Sequence, residues 1–417
     1  MNQATLGSTI GNTAVRASAP AAFETETGIP GAETLIRRAQ ALVPALRERA
    51  AQAAQQRRVP AETVRQMQDA GLFRVLQARR YGGYELSPEV FYEIQMTLAQ
   101  ACMSTAWIYG VIAVHNWQMA LLDDRASQDV WADDSSVLIA SSYMPKGQVQ
   151  RVDGGFRFSG RWGYSSGVDH CQWVLLGGLV PAETEGEPPE YRTFLVPRGD
   201  FEVLDTWDTM GLRGTGSHDV VVSDVFVPEY RTHKSADGFA GTSPGLAINT
   251  APLYRLPFGQ IFVRAVSSSA IGALQGALQE FRAFAGNRVG DMGTRSAEQA
   301  PVQLAVAETA VAIDEMKLIL RRNFGELMHA AEAGTMLDIE TRLHYRYQAA
   351  AVVERCAQLI YRLFVTSGAR GLFNDNPVVR HFLDIHAGRT HYANNPDQFA
   401  RNYGGVLLGR DNSDFFI

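Results

Sequence analysis

The sequence predicts a mostly helical α+β protein in which a β-domain lies between two helical domains. Apolar residues recur at spacings of three and four from residue 31 to 134 and again from 241 to 417, which is typical of helices that bury one face. Between them, residues 135–240 carry short alternating or β-branched runs separated by Gly, Pro and Asp. That pattern predicts a small antiparallel barrel or sandwich.

Local signals add detail to the N-terminal part of the chain. A proline suited to the first turn of a helix occurs in residues 60–62 and again at Pro88, where the Ser87 hydroxyl can cap the helix. Pro44 lies inside a helical pattern, so we expect a kink or a new helix start there. Residues 1–30 show neither a helical nor a strand period and predict a loose leader.

The composition argues against several classes of protein. Hydrophobic residues make up 46% and charged residues 20% of the chain, as in a folded globular protein. The net charge is -6 without a dense Lys/Arg stripe, so a nucleic-acid partner is not expected. Three cysteines without CxxC spacing favour neither a disulfide framework nor a zinc site, and they fit a reducing cytoplasm.

Signals for membranes and for several common catalytic sites are absent from the sequence. No run reaches about 18 consecutive apolar residues and no export signal is visible, so we expect a cytoplasmic protein without a membrane partner. The chain also lacks GxGxxG after a strand, GxxxxGK[ST], HExxH and GxSxG. A built-in site for a nicotinamide or a triphosphate is therefore not predicted.

The most specific segment is the run WDTMGLRGTGS at residues 207–217, followed by DVVVSDVFVP at 219–228. A Gly-rich hairpin between two strands would explain any single glycine in it. The whole string resembles the GLRGTGS…DVFVP stretch in the central β-domain of the acyl-CoA dehydrogenase superfamily. The resemblance implies that fold, with an N-terminal helical domain, a central antiparallel β-domain and a C-terminal four-helix bundle.

A second run, WGYSSGVDH at residues 162–170, resembles the W-x-x-S-S-G-x-x-H stretch of the superfamily's two-component flavin-dependent monooxygenases. This branch includes p-hydroxyphenylacetate 3-hydroxylase oxygenases and seco-steroid phenol 4-hydroxylases. The resemblance places Ser166 beside flavin N5, where a hydroxyl can both donate and accept a hydrogen bond. A turn serine bound to its own backbone is the alternative interpretation. The stretches at residues 105–107 and 141–145 resemble the matching N-terminal stretches of the same hydroxylases, which implies that Trp107 and Ser142 also bind the flavin.

The same resemblance implies a substrate site. His115 and Ser141 would contact the oxygen of a phenol. An acceptor or base at that hydroxyl favours phenolate character and makes the ortho carbon of the ring more nucleophilic. A core histidine with satisfied hydrogen bonds is the alternative interpretation of His115.

The C-terminal region distinguishes two branches of the superfamily. Acyl-CoA dehydrogenases often carry a catalytic glutamate in a Y-E-G-T-like stretch, and alignment puts Tyr392 at that position in this chain. The dehydrogenation base is therefore missing. The resemblance instead places His391 near the N1/C2 edge of the flavin, as a cationic or hydrogen-bond-donating imidazole. A surface histidine at a helix end is the alternative.

Two arginines are assigned to the flavin phosphate by the resemblance. Arg288 lies in an N-R-V run and Arg370 in a Gly-rich loop at residues 367–371, which in the family meets the flavin across a subunit boundary. A guanidinium suits a phosphate because it donates two hydrogen bonds together. Gly259 and Gly371 stand where the p-hydroxyphenylacetate enzymes lead us to expect an arginine and a serine, so both FMN and FAD stay open.

The resemblance covers nearly all of the chain from about residue 35 and implies an activity. The chain is predicted to be the oxygenase component of a two-component monooxygenase that hydroxylates a phenol ortho to its hydroxyl through a flavin C4a-hydroperoxide. Reduced FMN or FAD would arrive from a separate NAD(P)H-dependent reductase and react with O2, and a homotetramer is expected. The alternatives are an acyl-CoA dehydrogenase with another base, an N- or S-oxygenating flavoenzyme, and a non-catalytic binding protein.

Overall fold

The computed structural model describes the chain at residues 28–184, 186–289, 293–374, 376–414 and 417. The predicted leader at residues 1–30 lies outside these ranges except for its last three residues. Along the described chain, helices are followed by strands and then by helices again, in the predicted order.

The N-terminal region of the described chain is helical, with α1 (Ala32–Gln56), α2 (Ala61–Asp69), α3 (Pro88–Ala99), α4 (Met103–Met119) and α5 (Asp124–Trp131). Helix α3 begins at Pro88 as predicted, and the Ser87 hydroxyl accepts a hydrogen bond from the Glu89 backbone N–H at 3.4 Å. Every residue of α4 is buried. This helix therefore lies at the centre of the N-terminal core.

Helix α1 continues through Pro44 without a new start, so that predicted outcome is wrong. Its buried stripe extends on both sides of the proline, from Leu35 through Leu46 to Ala53. Packing of this stripe against the core stabilises one continuous helix, and it outweighs the single backbone hydrogen bond that a proline removes.

The middle of the chain forms a seven-stranded sheet of β1 (Ile139–Val152), β2 (Gly155–Ser165), β3 (Trp173–Val180), β4 (Glu190–Pro197), β5 (Glu202–Leu204), β6 (His218–Pro228) and β7 (Thr232–Lys234). The strand order is β5-β6-β2-β1-β3-β4-β7. All neighbouring pairs are antiparallel except β1 and β3, which run parallel. The sheet is thus mixed where an antiparallel one was predicted, because the chain passes through β2 before β3 joins the other edge of β1.

Strand β1 changes partner along its length. Residues 139–142 pair with β3, whereas residues 148–152 pair with β2. The register shifts between Ser142 and Gly147, and such an irregularity typically bends a strand. The irregularity begins directly after the predicted site residues Ser141 and Ser142, and the first residue of the same strand, Ile139, contacts His115 of α4 through its carbonyl.

The C-terminal region is helical, with α6 (Ser235–Ala240), α7 (Phe258–Ala265), α8 (Ser268–Asn287), α9 (Ala300–Glu332), α10 (Ile339–Thr366), α11 (Pro377–Arg389) and α12 (Pro396–Leu407). Helices α8, α9, α10 and α11 pack against one another as in a bundle. Helix α8 also packs against α3 of the N-terminal region. The domain limits at residues 134 and 240 stay a prediction.

The apolar segment Phe258–Gly286 could cross a membrane by length and composition alone, and it is the one such segment in the described ranges. However, 89% of its most apolar window is buried inside the protein. The segment is therefore accounted for as part of the protein core. The expected lack of a membrane partner stays a prediction.

Helix α8 approaches the end of α3 so closely that one side chain would not fit between them. A Cβ added at Gly272 would lie 2.1 Å from the Met96 carbonyl oxygen, whereas one added at Gly286 in the same helix would meet no atom within 4 Å. Gly272→Ala is expected to lower the free energy of unfolding by about 1–3 kcal/mol. Gly286→Ala should raise it by up to about 1 kcal/mol, because alanine is the better helix former.

Urea denaturation of the two variants measures both effects. Equal stability of the two would contradict the close contact between α8 and α3.

Candidate active site

Four elements that are distant in sequence meet around a set of aromatic rings. Trp107 of α4 lies 5.8 Å from His391, which follows α11, and Phe262 of α7 lies 6.4 Å from the same imidazole, measured between ring centroids. Phe262 also contacts Tyr143 of β1 at 5.1 Å, and Tyr143 lies 6.0 Å from His115 of α4. The rings thus connect His391 at one side of this region with His115 at the other.

Ser166 lies directly after β2 and belongs to a chain of hydrogen bonds. Its hydroxyl accepts a hydrogen bond from the Trp107 indole N–H at 3.2 Å and lies 2.7 Å from the Ser217 hydroxyl. Ser217 lies 2.7 Å from the Thr215 hydroxyl, which donates to the Leu212 carbonyl at 2.9 Å. The Ser166 side chain therefore bonds to other side chains rather than to its own backbone, which disfavours the interpretation as a simple turn serine.

The loop that supplies Ser217 is held by contacts with α11. Leu212 has a φ of 51°, a left-handed conformation that is unfavourable for a residue with a side chain. Its backbone N–H donates to an Asp384 carboxyl oxygen at 2.7 Å. A Cβ added at Gly211 would lie 2.1 Å from the Leu383 carbonyl oxygen. The first glycine of the GLRGTGS run is therefore required by close backbone approach.

Asp384 is almost fully buried, and burial raises the pKa of its carboxyl to about 6. The Leu212 N–H and the charge of Arg380 act in the opposite direction. Since its carboxyl holds the loop by a backbone hydrogen bond, Asp384 couples α11 to the loop that leads to Ser217.

His391 is only partly exposed, and its Nδ1 accepts a hydrogen bond from the Ala393 backbone N–H at 3.1 Å. The neutral imidazole therefore carries its proton on Nε2. Arg346, which is 1% exposed, donates to the Ala393 carbonyl at 3.1 Å. Burial, together with the positive charge of Arg346, lowers the pKa of His391 to about 4. Of the two predicted forms, this environment favours the neutral donor over the cation.

His115 is fully buried, and its Nδ1 donates to the Ile139 carbonyl at 2.7 Å. Its Nε2 is then an acceptor, and it has no hydrogen-bond partner among the described residues. Burial lowers the pKa of His115 to about 4, so the ring is neutral at pH 7. Only one of the two ring nitrogens of His115 thus has a hydrogen-bond partner among the described residues. The free Nε2 can accept a hydrogen bond from a hydroxyl.

The two predicted serines of β1 have different surroundings. Ser141 is half-buried. Burial raises the pKa of Tyr143 well above 10, and a hydrogen bond with the Ser141 hydroxyl partly opposes this rise. The Ser142 hydroxyl donates to the Gly163 carbonyl at 2.8 Å and so ties β1 to β2 just before Ser166. The flavin-binding role of Ser142 stays a prediction.

The two predicted phosphate-binding arginines lie elsewhere. Arg288, at the end of α8, donates to the Ser367 carbonyl at 2.6 Å, and Arg370 lies over the Phe373 ring at 4.7 Å. The start of α8 lies near His391, because the Val266 carbonyl accepts a hydrogen bond from Asn394 at 3.0 Å. Twenty helical residues separate that point from Arg288, which corresponds to about 30 Å.

Comparison with known proteins identifies the family. The family models for the N-terminal and C-terminal domains of acyl-CoA dehydrogenase match residues 33–128 and 265–396. The chain is 39% identical to the flavin-dependent monooxygenase oxygenase subunit HsaA of Rhodococcus jostii (strain RHA1) over 384 residues, which are 92% of this chain and 100% of the relative. The chain belongs to the acyl-CoA dehydrogenase family.

Two further similarities define the branch of this family. The chain is 30% identical to the FADH(2)-dependent resorcinol hydroxylase oxygenase component of Rhizobium sp. (strain MTP-10005), covering 90% of the chain and 94% of the relative. It superposes on the crystal structure of the HsaA monooxygenase from M. tuberculosis with a TM-score of 0.88 and 36% identity, covering 93% and 100% of the two chains. The predicted fold and the monooxygenase branch are thus confirmed.

The site of this acyl-CoA dehydrogenase family member also contains residues that sequence reasoning did not single out. Thr215 and Ser217 belong to the quoted GLRGTGS run, but nothing in the run indicated that they bind Ser166. Asp384 and Arg346 had no local signal, because their partners Leu212 and Ala393 lie 172 and 47 residues away in the chain.

Proposed function

We propose that this chain is the oxygenase component of a two-component monooxygenase that hydroxylates a phenol ortho to its hydroxyl group. It would use O2 and reduced FMN or FAD from a separate NAD(P)H-dependent reductase. The observation that carries the proposal is the pair of histidines on either side of the aromatic region. His115 offers an unpartnered acceptor at Nε2, and His391 carries a donor at Nε2.

The residues present fit a reduced flavin beside Ser166. The Ser166 hydroxyl is held by Trp107 and Ser217, and the neighbouring rings of Trp107 and Phe262 provide an apolar wall beside His391. Bound reduced flavin would supply the electrons that activate O2. A partly buried Nε2–H of His391 is suited to stabilise negative charge that develops next to it.

The substrate site follows from His115. A phenol hydroxyl that donates to His115 Nε2 gains phenolate character, which activates the carbon ortho to it. Tyr143 and Phe262 offer ring faces and edges to an aromatic substrate in the same region. The buried, neutral His115 keeps its lone pair free at pH 7, because its pKa is lowered to about 4.

His115→Leu is expected to weaken phenol binding about tenfold, because it removes a buried acceptor for the phenol hydroxyl. Titration calorimetry without flavin measures this affinity directly. His381→Leu is the matched control, since His381 is as fully buried as His115 and its Nε2 also lacks a hydrogen-bond partner among the described residues, but it lies on α11. Equal phenol affinities of the two variants would remove His115 from the substrate site.

The two-component arrangement is tested with purified protein. Alone it should oxidise no NADH, whereas with a flavin reductase, FMN or FAD and a suitable phenol it should form the ortho-diol. Absence of product across a broad panel of phenols with both flavins would contradict the proposed function. Bleaching of oxidised flavin by acyl-CoA under anaerobic conditions would instead support the dehydrogenase alternative.

We also infer a homotetramer, in which the phosphate-binding arginines of one subunit serve the site of another. This inference is supported by the distance of about 30 Å along α8 between Arg288 and the His391 end of that helix. Exposed apolar side chains also recur at a spacing of seven on the outer face of α9, where Leu304, Val311 and Leu318 are 55%, 58% and 54% exposed. A monomer in light scattering would contradict it.

A further inference from the structure

A chain of hydrogen bonds runs from Trp107 to Leu212, and the chemistry of its two end groups fixes one end as a donor and the other as an acceptor. The Trp107 indole N–H can only donate, and the Leu212 carbonyl can only accept. Between them lie the hydroxyls of Ser166, Ser217 and Thr215, joined by two contacts of 2.7 Å. All three hydroxyl residues are buried, between 2% and 8% exposed, so bulk water has little access to replace a missing bond.

One arrangement of protons satisfies every hydrogen bond between Trp107 and Leu212. The Thr215 proton goes to the Leu212 carbonyl, so Thr215 can only accept from Ser217. The Ser217 proton is then used, and Ser217 must accept from Ser166. The reverse direction at Ser217 would place its lone pairs against those of Thr215 at 2.7 Å. An unmade hydrogen bond between buried groups is unfavourable.

The direction of these hydrogen bonds decides whether Ser166 can donate to a ligand or accept from it. Its proton points to Ser217, and one lone pair accepts from Trp107. A hydroxyl oxygen has two lone pairs, so one lone pair remains for a ligand. Ser166 is therefore set as an acceptor, although a free hydroxyl could donate as well.

We propose that Thr215 and Ser217 are positioning residues that hold Ser166 as a hydrogen-bond acceptor and thereby make the site select reduced flavin over oxidised flavin. Reduced flavin carries a hydrogen on N5, whereas N5 of oxidised flavin is itself an acceptor. The lone pair of Ser166 attracts the N5–H of reduced flavin and repels the N5 lone pair of oxidised flavin. This inference rests on the proposed function, because it takes the flavin N5 to lie beside Ser166.

Selection of this kind suits a flavin that arrives and leaves. The site would retain the reduced form and release the oxidised form to the reductase. The selectivity would be set by residues behind Ser166, which need not touch the flavin themselves.

The test compares dissociation constants for oxidised FMN and for dithionite-reduced FMN under anaerobic conditions, measured by ultrafiltration. Ser217→Ala frees the Ser166 proton, and Thr215→Val lets the Ser217 proton turn towards Ser166. Each variant should lower the preference for reduced FMN about tenfold. Thr209→Val is the matched control, since its hydroxyl donates to the Gly211 carbonyl at 2.9 Å in the same loop but outside the chain. Its preference should equal that of the wild type.

Ser166→Ala distinguishes a wrong hydrogen-bond chain from a wrong placement of the flavin. If Ser166→Ala changes the preference for reduced FMN but Ser217→Ala and Thr215→Val do not, the inference about the hydrogen-bond chain is wrong. The placement of the flavin beside Ser166 is then still supported. If Ser166→Ala also leaves the preference unchanged, the placement of N5 beside Ser166 is wrong. Circular dichroism is used to check that each variant is folded, and Ser217→Ala and Thr215→Val provide two independent measurements.

Discussion

Replacing His391 with alanine is expected to lower the rate of phenol hydroxylation about 100-fold or more, with the fold retained. The substitution removes an N–H donor that the protein holds in place before reaction. The Ala393 N–H occupies Nδ1 and so leaves the proton on Nε2, while Arg346 holds the Ala393 carbonyl. Electrostatic stabilisation by such a fixed donor is worth about 3 kcal/mol in a transition state.

His391→Gln and a pH profile test which form of His391 acts. The pKa of His391 is lowered to about 4, so the ring is neutral above that pH and its charge should not change between pH 6 and 8. The glutamine amide restores an N–H donor without a titration and should recover part of the rate. Loss of rate as the pH rises through 6.5, absent in His391→Gln, would mean that the cation is the active form.

His386→Ala is the matched control for His391→Ala. His386 lies five residues earlier at the end of α11, and its Nδ1 contacts the Phe382 carbonyl at 2.8 Å. It takes no part in the contacts with Trp107 and Phe262. The rate of phenol hydroxylation should stay near the wild-type value in this variant. A loss equal to that of His391→Ala would show a general effect on the α11 segment.

Acidification from pH 6.5 towards 4 is expected to destabilise the fold steeply. Three buried histidines, His115, His233 and His381, have pKa values lowered to about 4, 4 and 3, chiefly by burial. Their unfolded pKa is about 6.5. Between these values the unfolded state binds more protons, so the free energy of unfolding rises with pH and falls on acidification.

The size of this effect is set by the net proton difference. Each proton contributes about 1.4 kcal/mol per pH unit. Asp384, whose pKa is raised by burial to about 6, acts in the opposite direction below that pH, and burial also raises the pKa of Glu280, which acts in the same sense as Asp384. A net difference of roughly one to two protons gives about 1.5–3 kcal/mol per pH unit, against a typical total stability of about 5–15 kcal/mol. Urea denaturation at pH 7.5, 6.5 and 5.5 measures the slope.

His381→Phe isolates one contribution to the acid effect. Both ring nitrogens of His381 lack hydrogen-bond partners among the described residues, although Nε2 lies 3.8 Å from a Glu280 oxygen. The variant should lose less stability per pH unit than the wild type. His329→Gln, at an exposed position of α9, is the control. A slope unchanged in His381→Phe would contradict the role of this histidine.

Features that depend on near neighbours in the chain were readable from the sequence. The helical and strand periods gave the order of the elements, and Ser87-Pro88 gave the start of α3. The motif runs at residues 162–170 and 207–217 led to the correct family because each keeps its chemistry within about ten residues. Ser166 was assigned from the first run and Trp107 from the similar stretch at residues 105–107, and a hydrogen bond joins the two side chains.

Other features depend on contacts between distant parts of the chain. The parallel pairing of β1 with β3 is not encoded in either strand alone, since alternation reports burial but not direction. The continuation of α1 through Pro44 depends on packing that local propensity does not include.

The amino-acid sequence alone determined the family, the layout of helices and strands, and the residue types available for flavin chemistry. Only the tertiary structure decided how those residues are protonated and oriented. The Ile139 carbonyl leaves His115 with a free acceptor, burial and the charge of Arg346 lower the pKa of His391, and Thr215 with Ser217 directs the proton of Ser166. The physical reason is that burial and hydrogen-bond direction are set by three-dimensional neighbours, which a one-dimensional pattern does not contain.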